Sequence, residues 1–418
     1  MELTLRDVGA QGDGLGIVDG VPVYVPAGLV GERVRVRLAE RRGDGWEAGL
    51  EEILEASPDR VPAVCRHFGT CGGCRLQHMA PERVVVWKRG LLTTALARRG
   101  LVFPEPAPLI GIAPGRRRRA TFAYVRAGGR VLLGFNVRNQ DRIVDLAECP
   151  ALLPELTALL PPLRRLLAEL VANGRKGDVS ITATATGVDL VLAGMDAPAL
   201  SARERLVSFA YEWNLARLSW CGDPGGMAEP VVERSRPRVD FAGVAVEVPP
   251  GAFLQPSAEG EAAIVSCVLE GVSGFLPVVD LYAGLGSFTF PLARLGSVHA
   301  VEGVAAAVES IRAAAHRAGQ EQVSAQVLDL ARDPHSAPML RRFKSLVFDP
   351  PRAGARAQVE ILAKEGPPRL VAISCDPSTL ARDLRILCDG GYRLVSLTPI
   401  DQFPWSHHLE AVATLHRG

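Results

Sequence analysis

Three cysteines sit within ten positions in VCRHFGTCGGCRLQH, at Cys65, Cys71 and Cys74. The N-terminus, MELTLRDVGAQGDG, lacks the basic-then-apolar order of a signal peptide, so the chain is expected to be cytoplasmic. Thiols there stay reduced, and a cluster this tight points to metal binding or catalysis rather than disulfides. Such a group needs a fourth ligand from elsewhere in the chain. Four thiolates suit tetrahedral zinc and an iron–sulfur cluster alike.

A second chemistry gathers around the glycines of VVDLYAGLGSF. Gly284 and Gly286 follow an apolar strand and precede a helix, without the third glycine of a dinucleotide fingerprint. The D-x-x-x-G-x-G form looks like the first motif of class I S-adenosylmethionine (SAM) methyltransferases. Glu302 ends the next strand, placed to accept hydrogen bonds from two ribose hydroxyls. Two further strands end in polar turns, DPPR at 349–352 and SCDP at 374–377.

Cys375, at the second of these turns, would ordinarily be a small hydrophobe closing a strand. Beside a methyl donor it has a specific use. Carbon 5 of uracil is too weak a nucleophile to take a methyl group unaided. A thiolate added to C6 turns C5 into an enolate carbon that can attack the methyl. The C5 proton must then go to a general base so that the thiol can leave. FPWSHHLE, 403–410, offers His407, His408 and Glu410 for that task.

Three kinds of segment must position these groups. Residues 1–57 show strand periodicity with glycine turns: Val21, Val23 and Val25, then Val34, Val36 and Leu38. About five short strands fit a small barrel of the oligonucleotide-binding kind, and Pro22 and Pro26 mark an edge strand. Residues 58–244 read as α+β, with a helix over 79–100 closed by Gly100. A Leu-rich helix over 151–172 is interrupted at Pro161–Pro162, and a strand–turn–strand spans 178–195. From 245 to 418 strands alternate with helices, the pattern of a doubly wound, mainly parallel sheet. Such sheets bind ligands beyond their carboxyl strand ends, where every polar turn above lies.

With 48% hydrophobic and 22% charged residues the chain is of the globular class, and no apolar run is long enough to span a bilayer. Its net charge of +1 hides an asymmetry. Residues 61–150 carry fifteen Lys/Arg against five Asp/Glu, whereas residues 1–60 carry seven against twelve. The basic segment includes Arg116, Arg117, Arg118 and Arg119, and suggests a phosphate-backbone partner.

Taken together and in order, these motifs resemble the RNA uracil-C5 methyltransferases, most closely the branch that methylates uridine in bacterial 23S ribosomal RNA. The similarity spans essentially the whole chain: C-x5-C-x2-C, a remote ECP, DLYxGxGxF, DPPRxG, SCxPxTLARDL and FPxxxHxE. It implies a multidomain architecture. An N-terminal TRAM β-barrel (1–57) precedes a central RNA-binding domain (58–244) and a Rossmann-like SAM-dependent catalytic domain (245–418). It also implies that Cys149 completes a [4Fe–4S] site that folds the central domain rather than doing redox chemistry. Cys375 would be the nucleophile and Glu410 the base. Gln255, Tyr282, Ser287, Asp329 and Asp349 would join Gly284, Gly286 and Glu302 around the cofactor. Phe253, Gln255 and Asp349 would face a flipped uracil from a single-stranded RNA loop. The enzyme is expected to be a monomer.

Three residues depart from the family pattern. Ala283 replaces Cys, Ser287 replaces Asn, and Asp376 replaces Asn after the nucleophile, adding a negative charge expected to raise the Cys375 pKa. Two rival readings remain at this level: the same chemistry on transfer RNA, or a non-catalytic iron–sulfur assembly factor.

Overall fold

A computed structural model describes all 418 residues. β1 (Glu2–Thr4), β2 (Asp7–Val8), β3 (Gly14–Val18), β4 (Val21–Val25), β5 (Arg33–Arg42) and β6 (Gly45–Glu55) form one sheet, ordered β1-β5-β6-β4-β3-β2. Alternate residues Leu3, Val23, Val25, Val34 and Val36 meet in one core, so the sheet curls around a single face. The Arg6 amide donates to Leu15, tying the end of β1 to β3. β4 is interior, not the expected edge. Pro22 is tolerated because β4 pairs with β6 only at Val23–Trp46 and Tyr24–Glu47.

The next elements are α1 (Pro81–Arg98), β7 (Ile110–Gly111), β8 (Arg119–Ala127), β9 (Arg130–Gly134), α2 (Pro154–Ala158), α3 (Leu160–Leu170), β10 (Lys176–Thr184), β11 (Gly187–Ala193), α4 (Leu200–Glu212), β12 (Leu215–Cys221) and β13 (Glu229–Glu233). Six of these strands form the central sheet, β13-β12-β11-β10-β8-β9. α3 packs Leu163, Leu166 and Leu167 into its core. Pro161 and Pro162 do not break a helix. They open α3, where a missing N–H leaves nothing unpaired, and the interruption falls at Leu159.

The hairpin β14 (Arg238–Phe241) and β15 (Val244–Glu247) leads into α5 (Ala258–Val272), β16 (Val278–Leu281), α6 (Thr289–Ala293), β17 (Val298–Glu302), α7 (Ala305–Arg317), β18 (Val323–Val327), α8 (Ala337–Leu340), β19 (Ser345–Phe348), α9 (Arg356–Glu365), β20 (Arg369–Ser374), α10 (Pro377–Asp389), β21 (Arg393–Asp401) and β22 (Glu410–His416). The last sheet runs β18-β17-β16-β19-β20-β22-β21-β7. Its first five strands are parallel and β22 is antiparallel. VVDL and SLVF are buried throughout because helices cover both faces.

The middle segment divides differently from the expected 58–244. α1 packs on α10, and Leu92, Leu96 and Leu101 join the core of the C-terminal sheet. β7 adds a strand to that sheet beside β21. Lys88, wholly buried on α1, donates to Asp401 Oδ1 (2.6 Å) and to the Phe403 carbonyl (2.9 Å).

Candidate active site

Five parallel strands end on one rim, and each leads to at least one of the expected residues there. β16 leads to Tyr282, in the left-handed region at φ 60°, then to Gly284 (φ 55°) and Gly286 (φ 92°). At Gly286 a Cβ would lie 2.8 Å from the Phe290 ring, so only glycine fits. β17 delivers Glu302, whose carboxylate accepts the amides of Gly284 (3.0 Å) and Val304 (2.9 Å). These bonds fix the acid against the glycine turn and leave lone pairs for a diol. Asp329, beyond β18, accepts the Ala331 amide and pairs with Arg332. Ser287 lines another cavity with Arg118, Glu261 and Arg294.

Asp280, the first residue of D-x-x-x-G-x-G but given no role of its own from the sequence, is fully buried on β16. Its Oδ2 accepts the Thr289 hydroxyl (2.6 Å), while Oδ1 has no partner. Burial pushes its carboxyl up to about 7.

β19 presents Asp349 and β20 presents Cys375. β22 runs antiparallel to β20 with Ser374 opposite Ala411, which brings the next residues, Cys375 and Glu410, to the same end of the two strands. Glu410 is buried, and burial followed by the Asp349 charge raises its carboxyl above the usual range. Burial likewise raises Asp349. The Cys375 thiol is pushed up to about 11, by burial first and then by Glu410 and Asp349, against the pull of Arg352. Asp376 is not the expected cause. Its carboxylate caps α10, accepting the amides of Ser378 (2.8 Å) and Thr379 (3.2 Å). Burial drives His407 down to about 3 and His408 down to about 4, which makes both weak bases beside Glu410. Arg352 contacts His408.

The loop before α5 supplies Phe253 and Gln255. Gln255 Nε2 donates to Asp349 Oδ2 (2.9 Å), and Phe253 is 60% exposed beneath the Arg119 guanidinium, 4.5 Å from its ring centre. The arginine run is not one basic face. Arg118 is buried, bonded to the Gln255 carbonyl (2.9 Å) and Glu261 (2.8 Å), and so is spent on holding this loop. Arg119 also holds it, through the Leu254 carbonyl. Arg116 is exposed near Glu259, and Arg117 faces the cysteines.

Cys65, Cys71, Cys74 and Cys149 all line one cavity of about 660 Å³, which Phe253, Arg352 and Cys375 also border. The Gly73 amide points at Cys71 Sγ (3.4 Å). Burial raises Cys71 and Cys149, and pushes Cys74 up to about 12, with the neighbouring thiols adding to each. No three His, Cys, Asp or Glu side chains close on a single point as one metal ion requires.

Gln402 and Arg352 were given no role from the sequence. Gln402 directly precedes FPWSHHLE, and Arg352 ends the DPPR turn; their positions were legible but their partners were not.

The comparisons agree with this geometry. The profile of the tRNA (Uracil-5-)-methyltransferase family matches residues 238–418. An uncharacterized RNA methyltransferase of Brucella suis is 42% identical over all of this chain and 98% of its own length. The 23S rRNA (uracil(1939)-C(5))-methyltransferase RlmD of Chromohalobacter salexigens is 36% identical, over 97% of this chain and 87% of its own. The crystal structure of Pyrococcus abyssi tRNA (uracil-54, C5)-methyltransferase with S-adenosyl-L-homocysteine superposes with a TM-score of 0.78 at 24% identity, over 99% of this chain and all of that one. With its strand-end residues and whole-length relatives in accord, the chain belongs to the RNA (uracil-C5)-methyltransferase family, enzymes that take their methyl group from SAM.

Proposed function

We propose that this enzyme methylates C5 of a uridine in 23S ribosomal RNA. The observation that carries the mechanism is the gathering of Cys375, Glu410 and Asp349 at the neighbouring ends of β20, β22 and β19, close enough that both carboxylates act on the thiol. The Cys375 thiolate adds to C6 of uracil, forming a C–S bond and moving the ring's electron pair onto C5 and O4. The glycine turn, Glu302 and Asp329 would hold SAM, with Glu302 toward its ribose and Asp329 toward its adenine. C5 takes its methyl group as the methyl–sulfur bond breaks, leaving S-adenosylhomocysteine. Once C5 is methylated, Glu410 takes its proton, the C5–C6 double bond reforms and the thiolate leaves. Phe253 offers an exposed face for the extruded base, and Gln255 and Asp349 its polar contacts.

Cys65, Cys71, Cys74 and Cys149 hold a [4Fe–4S] cluster in this reading. Four crowded thiols that resist ionisation alone suit a cationic cluster that binds them as thiolates. It ties the loop at 65–74 to the turn at Cys149. No helix is long and apolar enough to cross a membrane.

Relatives named for 23S ribosomal RNA, matching along most of both chains, support the substrate. Mapping 5-methyluridine in a strain lacking the gene tests it. Loss of one 23S position is expected. Loss from transfer RNA alone would move the substrate, and no loss anywhere would overturn the activity.

A further inference from the structure

Gln402 closes a gap in the pocket. Its Nε2 lies 3.0 Å from Gln255 Oε1 and 3.2 Å from Glu410 Oε1. Gln255 Nε2 in turn reaches Asp349. The result is one chain, Asp349–Gln255–Gln402–Glu410, linking the ends of β19, β21 and β22. In this orientation the Gln402 amide nitrogen donates to an amide carbonyl and a carboxylate together. Gln402 Oε1 is buried without a partner, 2.5 Å from where a Cβ on Gly260 would stand. A buried amide that leaves its own acceptor unpaired in order to donate twice is held there by what it donates to.

We propose that Gln402 is a positioning residue for the base, its amide donating to Gln255 and to Glu410 so that the Glu410 carboxylate is oriented for C5 proton removal and its ionised form favoured. The inference rests on the mechanism proposed above. The donation favours the charged form of Glu410 against its other surroundings. Asp349 on β19 opposes ionisation, as does the Cys375 thiolate on β20 once formed. Arg352 favours the thiolate. His407 and His408, on the same loop, are neutral. Lys88 is engaged by Asp401, and Arg118 by Glu261. By fixing the Gln255 carbonyl, the same bond keeps the Gln255 amide nitrogen facing Asp349.

The test separates the two chemical steps. Uridine-C5-tritiated ribosomal RNA from a strain lacking the gene is treated with the full-length enzyme and methyl-labelled SAM. Methyl incorporation reports transfer, and tritium release to water reports proton removal. In Gln402→Met, incorporation into the covalent adduct should stay near the wild-type rate. Tritium release should slow about tenfold at pH 7, with its pH midpoint raised by about one unit, so that the deficit shrinks at pH 9. Gly260→Ala, which crowds Gln402 without touching a reacting group, should move the midpoint the same way. Equal slowing of both steps with an unmoved midpoint would show a merely structural residue and overturn the proposal. Wild-type enzyme that forms no adduct would instead overturn the mechanism itself.

Discussion

Cys375 and Glu410 act at different moments, so their losses should differ. Cys375→Ala should abolish methylation and the covalent bond to RNA while SAM still binds. Glu410→Gln keeps the nucleophile and the pocket shape. Breakdown of the methylated adduct should fall about 10²- to 10⁴-fold, leaving a ribonuclease-sensitive slow band on a denaturing gel. Normal turnover in Glu410→Gln, with trapping in His408→Ala, would reassign the base.

The same carboxylate makes a stability prediction. Its folded-state pKa lies above the ordinary 4.5, so the folded protein holds the proton more tightly than the unfolded chain. That stabilisation is complete below the ordinary value and is lost as pH rises through the raised one. Glu410→Gln should therefore unfold at a higher temperature than wild type at pH 9, by about 1 kcal/mol or more, and show little difference at pH 4. Equal melting shifts at both pH values would show that the carboxyl is not perturbed. Asp349 and Cys375 were legible in the sequence because each ends an apolar run; Glu410, which opens β22, was legible only through the FPxxxHxE resemblance. Asp376 was misread, because capping of α10 depends on which way a side chain turns.

At the scale of elements, the arginine run shows what spacing leaves out. Four consecutive arginines look like one charged surface, but the start of a strand alternates its side chains. Arg118 therefore points inward to Glu261 and the 253–256 loop. Arg118→Ala should impair methylation while leaving the salt dependence of RNA binding unchanged. Arg116→Ala should lower that salt slope by about one with the chemistry intact. The reverse pattern in binding titrations would restore Arg118 as a phosphate contact. The strand–helix alternation after 245 was readable for the opposite reason, since its apolar runs are unbroken and each ends in a turn. β7 was not, because two residues carry no periodicity.

At the scale of the whole molecule, the cysteine cavity joins parts that are remote in sequence. Asp13 of the N-terminal sheet, only 1% exposed, pairs with Arg138, and the neighbouring Val137 bridges to Cys71. Cys149→Ser should lose about four irons per chain and raise amide exchange at 65–74 and 136–152, while SAM binding persists. Wild-type protein purified without oxygen that carries stoichiometric zinc and no iron would refute the cluster.

The placement of α1 and β7 has a consequence for how the protein is made. Leu92, Leu96 and Lys88 are synthesised some three hundred residues before α10 and Asp401, which cover and neutralise them. The N-terminal sheet has every strand it needs by residue 55 and can close early. α1 cannot: its apolar face stays open until nearly the last strand leaves the ribosome. A fragment cut at residue 245 would lack both the edge strand and this helix. It should collect in inclusion bodies, and co-expression of residues 1–112 should return it to solution. The catalytic domain is thus begun before the central sheet and finished after it, and its birth order is as discontinuous as its sequence.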